Sequence, residues 1–178
     1  MRQKIWVNVI IVVVSSALLL IVWSKGLDYA YGKLLTFGAN ACLVVSPHTS
    51  VSLKVVNDAP NFVVKTIVDG KKGQFPQKAD LILLPLIMVL TWQILLFFNI
   101  DRKKAIHSAI ENLAIFYVIQ VIYVLLLTGY YRSSTVKFIY DLLIDSFYII
   151  VLFLIVKDTF KYGLIRLTRK ESDSGQHA

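Results

Sequence analysis

Ile5–Trp23 reads IWVNVIIVVVSSALLLIVW, an uncharged run about as long as the ~20-residue helix that crosses a bilayer, and it decides the solvent in which the rest of the chain is read. Leu81–Phe98, Ala109–Leu127 and Phe138–Val156 have the same character. The expected fold is therefore membrane α-helical, with four transmembrane helices. Around them the chain divides into a short N-terminus with helix one (1–23), an insert (24–80), helices two to four (81–157) and a basic tail (158–178). With 57% hydrophobic and 17% charged residues, there is material for four spans and a small module outside the membrane, but not for a separate soluble enzyme domain.

The net charge of +8 sits mostly on residues flanking apolar runs, which points to membrane lipids rather than nucleic acid as the anionic partner. Cys42 is the only cysteine, so an intramolecular disulfide and multi-thiolate metal sites are excluded. Phosphate-loop, paired-histidine zinc and serine-elbow motifs are missing, and neither a cofactor nor a metal is expected. Arg2 and Lys4 before the first run, with Ala39–Asn40–Ala41 beyond it, imitate a secretory signal. Signal cores are only ~7–15 residues and lie close to their cleavage site, so the first run is read as an uncleaved span.

Basic residues near span ends resist translocation and set orientation. Arg2 and Lys4, then Arg102, Lys103 and Lys104, then Lys157, Lys161, Arg166, Arg169 and Lys170, all fall on one side of a four-span path. Both termini and the 99–108 link are thus expected in the cytoplasm, and 24–80 and 129–137 outside. Lysines within the long insert carry little weight under this rule.

Between the first two spans the pattern is that of a small extracytoplasmic α/β insert. Leu27, Tyr31, Leu34, Leu35, Leu43 and Val44 recur at helical spacing until Pro47. The period then becomes two, with Val51, Leu53 and Val55 alternating with Ser50, Ser52 and Lys54. Asn57–Asp58–Ala59–Pro60 supplies a turn, Phe62–Val68 a second strand, and Asp69–Gly70 a hairpin turn into a third segment near Lys72–Phe75. A short β-meander of this size must cover its apolar face with the preceding helix, the membrane surface or a partner. Its unpaired edge could accept a strand from another protein. Val51, Leu53, Val55, Phe62, Val64, Lys71 and Lys72 are the candidate partner-binding residues.

Ionisable residues inside spans are functional suspects because hydrocarbon penalises them. Asp141 and Asp145, one turn apart at the outer start of span four, could form an ion or proton site or pair with Arg132 or Lys137; the helix macrodipole is the simpler explanation. The same dipole accounts for Glu111 beside Asn112 at the start of span three. Gln93, Gln120 and Thr128 could join helices by hydrogen bonds of ~1 kcal/mol each. One catalytic arrangement is conceivable, Cys42 with His48 and Arg132 on the outer side, where a thiolate beside a cation and a base could form an acyl intermediate. The apolar neighbours of Cys42 instead suit a small packing residue.

Leu84–Pro85–Leu86, continuing to Leu90 as an L-P-L-x-x-x-L run, follows a first span, an outer helix and the alternating strand Ser50–Val56. In this order of parts, from Leu27 to Leu90, the chain resembles the small membrane proteins associated with exosortases, the intramembrane cysteine transpeptidases of bacterial envelope sorting. The resemblance implies a multi-pass accessory or assembly subunit of the bacterial inner membrane, and it supplies no catalytic residues. Exosortases themselves carry Cys, Arg and His in that chain order at outer span ends, whereas His48 here precedes Arg132 and His107 lies on the cytoplasmic side. The expected function is thus a non-enzymatic membrane subunit whose insert docks another membrane or extracytoplasmic protein. The alternatives are an exosortase-type transpeptidase and an ion-conducting or transport subunit using Asp141 and Asp145.

Overall fold

The structure, a computed structural model, describes residues 2–162 except 47, 57, 58 and 69; the side chains of 2–4 and 145 are also outside the described set. Arg166, Arg169, Lys170, the tail beyond them, the Asn57–Asp58 turn and Asp69 therefore lie outside the described residues, as do the side chains of Arg2, Lys4 and Asp145.

Helix α1 (Arg2–Val22) runs into a wide π-helical turn (Trp23–Leu27) and then α2 (Asp28–Cys42). The change of direction falls at Gly26, whose φ of +106° is a left-handed value that side chains disfavour. A 3-10 turn (Leu43–Val45) leads to strands β1 (Ser50–Val56), β2 (Ala59–Val68) and β3 (Lys71–Lys78). Then follow α3 (Asp80–Leu83), α4 (Pro85–Asn99), α5 (Arg102–Gly129), α6 (Ser134–Asp145) and α7 (Phe147–Lys161).

Three helical segments are long and apolar enough to cross a membrane, Ile5–Val45, Asp80–Asn99 and Arg102–Gly129, and a fourth results if the bent pair α6 and α7 counts as one. That pair departs from the single straight span expected over Phe138–Val156: it bends by 48° at Ser146. Carbonyls at the break find side-chain donors, since the Ser146 hydroxyl donates to Leu142 O at 2.9 Å and the Tyr123 hydroxyl, from α5, donates to Leu143 O. The second expected span is a single apolar helical segment, Asp80–Asn99. Leu84 between α3 and α4 keeps helical angles (φ −58°, ψ −38°), and Pro85 after it removes one backbone donor from the ladder.

Ser16 meets Thr91 at 3.2 Å and Asn99 donates to Asn8 at 3.1 Å, so α1 and α4 are antiparallel neighbours. Helix α4 also packs on α5 and α7, and α5 on α2 and α6. The core between α5, α6 and α7 is aromatic: Phe147 meets Phe116 edge-on at 5.4 Å and Tyr123 at 4.6 Å. Helix α1 contributes little to it, with only 6% of its most apolar window buried. Ile5, Val9, Val13, Leu18 and Leu20 are all exposed.

The sheet is an antiparallel meander in the order β1-β2-β3, with Val51 opposite Val64 and Val64 opposite Phe75. Both β2 and β3 are longer than the sequence pattern suggested. Ala59 and Pro60, expected in the turn, open β2, and β3 continues through Pro76 to Lys78. Gly70 in the second turn has φ +76°, which glycine adopts without strain.

Candidate functional site

The end of the molecule that carries the sheet is built on α2 and the last turns of α5. Gly32 leaves room for the Leu53 side chain, whose nearest carbon would lie 2.8 Å from a Cβ at that position. Asn40 binds the β1 backbone at two points, donating to Val51 O at 2.7 Å and accepting from Val51 N at 2.9 Å. At the other edge Phe75 stacks on Tyr131 with ring centroids 4.2 Å apart, pinning β3 to the α5–α6 connection.

This docking corrects the expected partner surface. Val51, Phe62 and Val64 are buried in the same core as Leu35, Ile82 and Phe116, so they are not available to another protein. The meander solves its exposed apolar face on the preceding helix, one of the options its size required. Leu53 is half-buried on Gly32, whereas Val55, Lys71 and Lys72 are exposed. Strand addition at an edge is also disfavoured. On β1 the amide of Asn40 already occupies the Val51 position, and α2 packs along the strand. On β3, register and alternation place Pro76 with its backbone nitrogen outward, where it offers no donor.

What the sheet presents outward is charge. Ser52, Val63 and Pro76 are cross-strand partners, as are Lys54, Asn61 and Lys78, then Ser50, Lys65 and Gln74, and Ile67 with Lys72. Because side chains alternate between faces, Lys54, Lys65, Lys72 and Lys78 share the face turned away from the helices. All are exposed. Of these, sequence reasoning placed only Lys72 among the partner-binding candidates; the alternation from Gln74 to Lys78 carried the signal once β3 was given its full length.

His48 and Arg132 are brought together, as the catalytic alternative required. Both line a cleft of about 580 Å³ with Val45, Ser46, Thr49, Thr66, Ile67, Val68 and Gly70. Cys42 does not line it: the thiol is exposed at the end of α2. The triad therefore lacks its nucleophile at the cleft, and Cys42 is not the buried packing residue that its neighbours suggested.

Asp141 is exposed and lies beyond the first turn of α6, which begins at Ser134 rather than Phe138, so the helix terminus no longer explains it. Its proposed partners do not reach it: among the described residues the only ion pairs are those of Glu111. Tyr130 is its neighbour, and partial burial together with the Asp141 carboxylate pushes the Tyr130 phenol above its ordinary pKa.

At the opposite end, sequence reasoning missed a polar junction. Asp158 is fully buried on α7 and accepts from Asn112 Nδ2 at 2.6 Å and Trp92 Nε1 at 3.1 Å, tying α7 to α5 and α4. Asn112 also accepts from Lys157 Nζ at 2.7 Å and reaches Ser108 Oγ at 3.4 Å. Glu111 pairs with Lys157 at 2.9 Å and Lys161 at 2.7 Å. The dipole explanation for Glu111 is thereby corrected, since α5 starts at Arg102 and the acid sits more than two turns inside it. Ending the fourth span at Val156 had hidden the signal, which is Lys157–Asp158 facing Ser108, Glu111 and Asn112 at i, i+3 and i+4.

Of the three candidate bridging residues, Gln120 does bridge, donating to Ile82 O and accepting from the Tyr31 hydroxyl. Thr128 bonds its own helix, to Leu125 O at 2.7 Å. The Gln93 amide is buried with no partner among the described residues. No group of three or more His, Cys, Asp or Glu side chains among the described residues is placed to hold a metal ion.

No protein-family model matches the chain, and neither the curated proteins nor the solved structures yield a match.

Proposed function

We propose that this chain is an integral membrane docking subunit that holds a lysine-rich sheet face at the membrane surface to bind an acidic partner protein. One observation carries the reading: Lys54, Lys65, Lys72 and Lys78 lie on a single exposed sheet face whose opposite face is fixed to the helices through Val51, Phe62 and Val64. A rigidly mounted single-sign surface raises encounter rates and rejects like-charged surfaces.

Membrane insertion is supported by the exposed apolar side chains of α1, which in water would form a patch far beyond what monomeric proteins tolerate. With Arg102, Lys103 and Lys104 at the start of α5 in the cytoplasm, the sheet faces the extracytoplasmic side. The junction of Glu111, Asn112, Asp158, Lys157 and Lys161 then sits at the cytoplasmic end. The resemblance to exosortase-associated proteins directs the search for the partner to bacterial envelope sorting in the inner membrane. The role is non-enzymatic in this reading, because Cys42 is not at the cleft that holds His48 and Arg132.

The test uses the full-length tagged chain with a photo-crosslinking residue at Ser52, on the lysine face. Lys54→Glu with Lys78→Glu should abolish a crosslinked partner band, and rising salt should weaken it, since exposed charges are screened over ~10 Å at 0.1 M. A band that survives both charge reversal and high salt overturns the proposal.

A further inference from the structure

A second feature lies at the end of the β2–β3 hairpin, in the cleft that holds His48 and Arg132. Its walls are Ser46, His48 and Thr49 on one side and the α5–α6 segment containing Arg132 on the other, closed on the third side by the end of β2. Both walls are held in place. Thr49 N donates to Ser46 O at 3.0 Å and the Thr49 and Thr66 hydroxyls meet at 3.2 Å. Across the cleft Arg132 N donates to Gly129 O at 3.0 Å, next to the Phe75–Tyr131 stack. At the rim Gly70 places no side chain over the opening.

The lining is suited to an anion. Arg132 supplies a permanent charge and a planar donor fork, His48 a ring donor, and Ser46, Thr49 and Thr66 hydroxyls. None of the described lining residues is a carboxylate, and Arg132 is in no ion pair among the described residues. An adjoining groove of about 310 Å³ shares His48, Thr49 and Thr66 and adds Lys65 and Lys72. Charge and hydroxyl donors thus converge on the His48–Thr49–Thr66 ridge from both sides.

The other lining residues are apolar. Val45, Ile67 and Val68 form one wall, and Val45 is 90% exposed. From it an exposed stripe runs back along α2 through Val44, Phe37 and Leu34 at helical spacing. An anionic pocket continuous with an apolar stripe matches an amphiphile, with its charged head in the cleft and its chain along α2.

We infer that the His48–Arg132 cleft binds a phosphoryl group, presented by an anionic phospholipid of the outer-facing leaflet. Free phosphate offers the same head chemistry without the chain. The lipid source rests on the membrane reading above, and the phosphoryl site does not. Neither depends on the partner being an acidic protein, although Lys65 and Lys72 of the adjoining groove belong to the lysine face of the sheet.

The experiment uses the full-length protein in nanodiscs of phosphatidylcholine with a minor fraction of phosphatidylglycerol, and counts lipids retained per chain by native mass spectrometry. Arg132→Gln is compared with Arg132→Lys, with His48→Gln, and with Lys54→Gln as a control outside the cleft. One phosphatidylglycerol should be retained by the unaltered chain and by Lys54→Gln. Arg132→Gln should weaken retention about tenfold, the worth of one charge-assisted hydrogen bond, with Arg132→Lys intermediate. In a second arm, inorganic phosphate is titrated in detergent and thermal unfolding is followed. Phosphate protection that depends on Arg132, without lipid retention, assigns the site to free phosphate. Circular dichroism verifies folding, and should Arg132→Gln fail to fold, His48→Gln and Arg132→Lys carry the comparison. Equal retention of both lipids with no phosphate protection, or losses at Arg132 and His48 no larger than at Lys54, overturns the inference. A chain that stays monodisperse in water without detergent refutes the membrane reading alone and leaves the phosphate arm standing.

Discussion

Replacing Asn112 with leucine removes the polar centre of the α4–α5–α7 junction while keeping the number and branching of the side-chain heavy atoms. The amide makes two contacts with charged groups, donating to Asp158 at 2.6 Å and accepting from Lys157 at 2.7 Å. Hydrogen bonds to charged groups are worth about 1.5–3 kcal/mol each, so their loss sums to about 3–6 kcal/mol. Lys157 keeps Glu111 at 2.9 Å and is partly solvated, which limits its share. Asp158 is fully buried and keeps only Trp92, with its second carboxylate oxygen already lacking a partner among the described residues. The loss should therefore fall at the upper half of that range, read as a shift in the SDS concentration that unfolds the purified protein in mixed micelles. The sharper prediction concerns the pair. Asn112→Leu combined with Asp158→Leu removes the stranded carboxylate and should be less destabilising than Asn112→Leu alone, because apolar replacement of both partners avoids an unpaired buried charge. Asp158→Asn, which retains acceptors for Asn112 and Trp92, should cost only about 1–2 kcal/mol. Additive losses in the double variant would refute the reading of these residues as one coupled unit.

At Gly26, where φ is +106°, alanine introduces backbone strain of about 1–3 kcal/mol; the α1–α2 bend should relax, visible as a changed spin-label distance between positions 10 and 37. Gly38 faces the Tyr117 hydroxyl, which donates to Leu34 O at 3.1 Å, so Gly38→Val should destabilise by about 1–3 kcal/mol in thermal unfolding, with partial rescue by Tyr117→Ala. Tyr131→Ala removes the stack on Phe75, worth about 0.5–1.5 kcal/mol, and should raise proteolytic nicking in β3 several-fold without altering global helicity by circular dichroism.

The helices and the meander were legible because each follows from one local period: uninterrupted apolar runs for the spans, alternation from Ser50 to Val55 for the first strand. Interruptions were harder to read. Asp145 and Ser146 mark the break, but length and mean hydropathy read Phe138–Val156 as one span, and the break is stabilised by the Tyr123 hydroxyl from a different helix. The partner surface was misread for a similar reason. Alternation identified Val51 and Leu53 as an apolar row but could not say whether that row meets α2 or another protein, a choice made by Gly32 and Asn40 some distance back in the chain. The Asp158 junction was hidden by a boundary: residues following Val156 were read as a basic flank, and flanks are assumed to be solvated. Only the pairing of α7 with α5 shows Lys157 and Lys161 turned onto Glu111.

The two ends of the molecule solve opposite problems, and this bears on the docking proposal. In hydrocarbon, apolar side chains gain nothing by leaving one another for lipid, so helices need small residues or polar contacts to choose neighbours. The chain supplies those contacts between α1 and α4 through Ser16, Thr91, Asn8 and Asn99, and between α4, α5 and α7 through Asp158 and Asn112. In the membrane reading proposed above, water is available at the sheet end and burial regains its drive, so Phe62, Val64 and Val51 anchor the meander through apolar contact. A platform held by burial on one face leaves Lys54, Lys65, Lys72 and Lys78 on the other in no ion pair among the described residues, and a partner can approach these lysines directly. The arrangement therefore predicts salt-sensitive association at a surface that does not rearrange, in contrast to a docking segment that folds on binding.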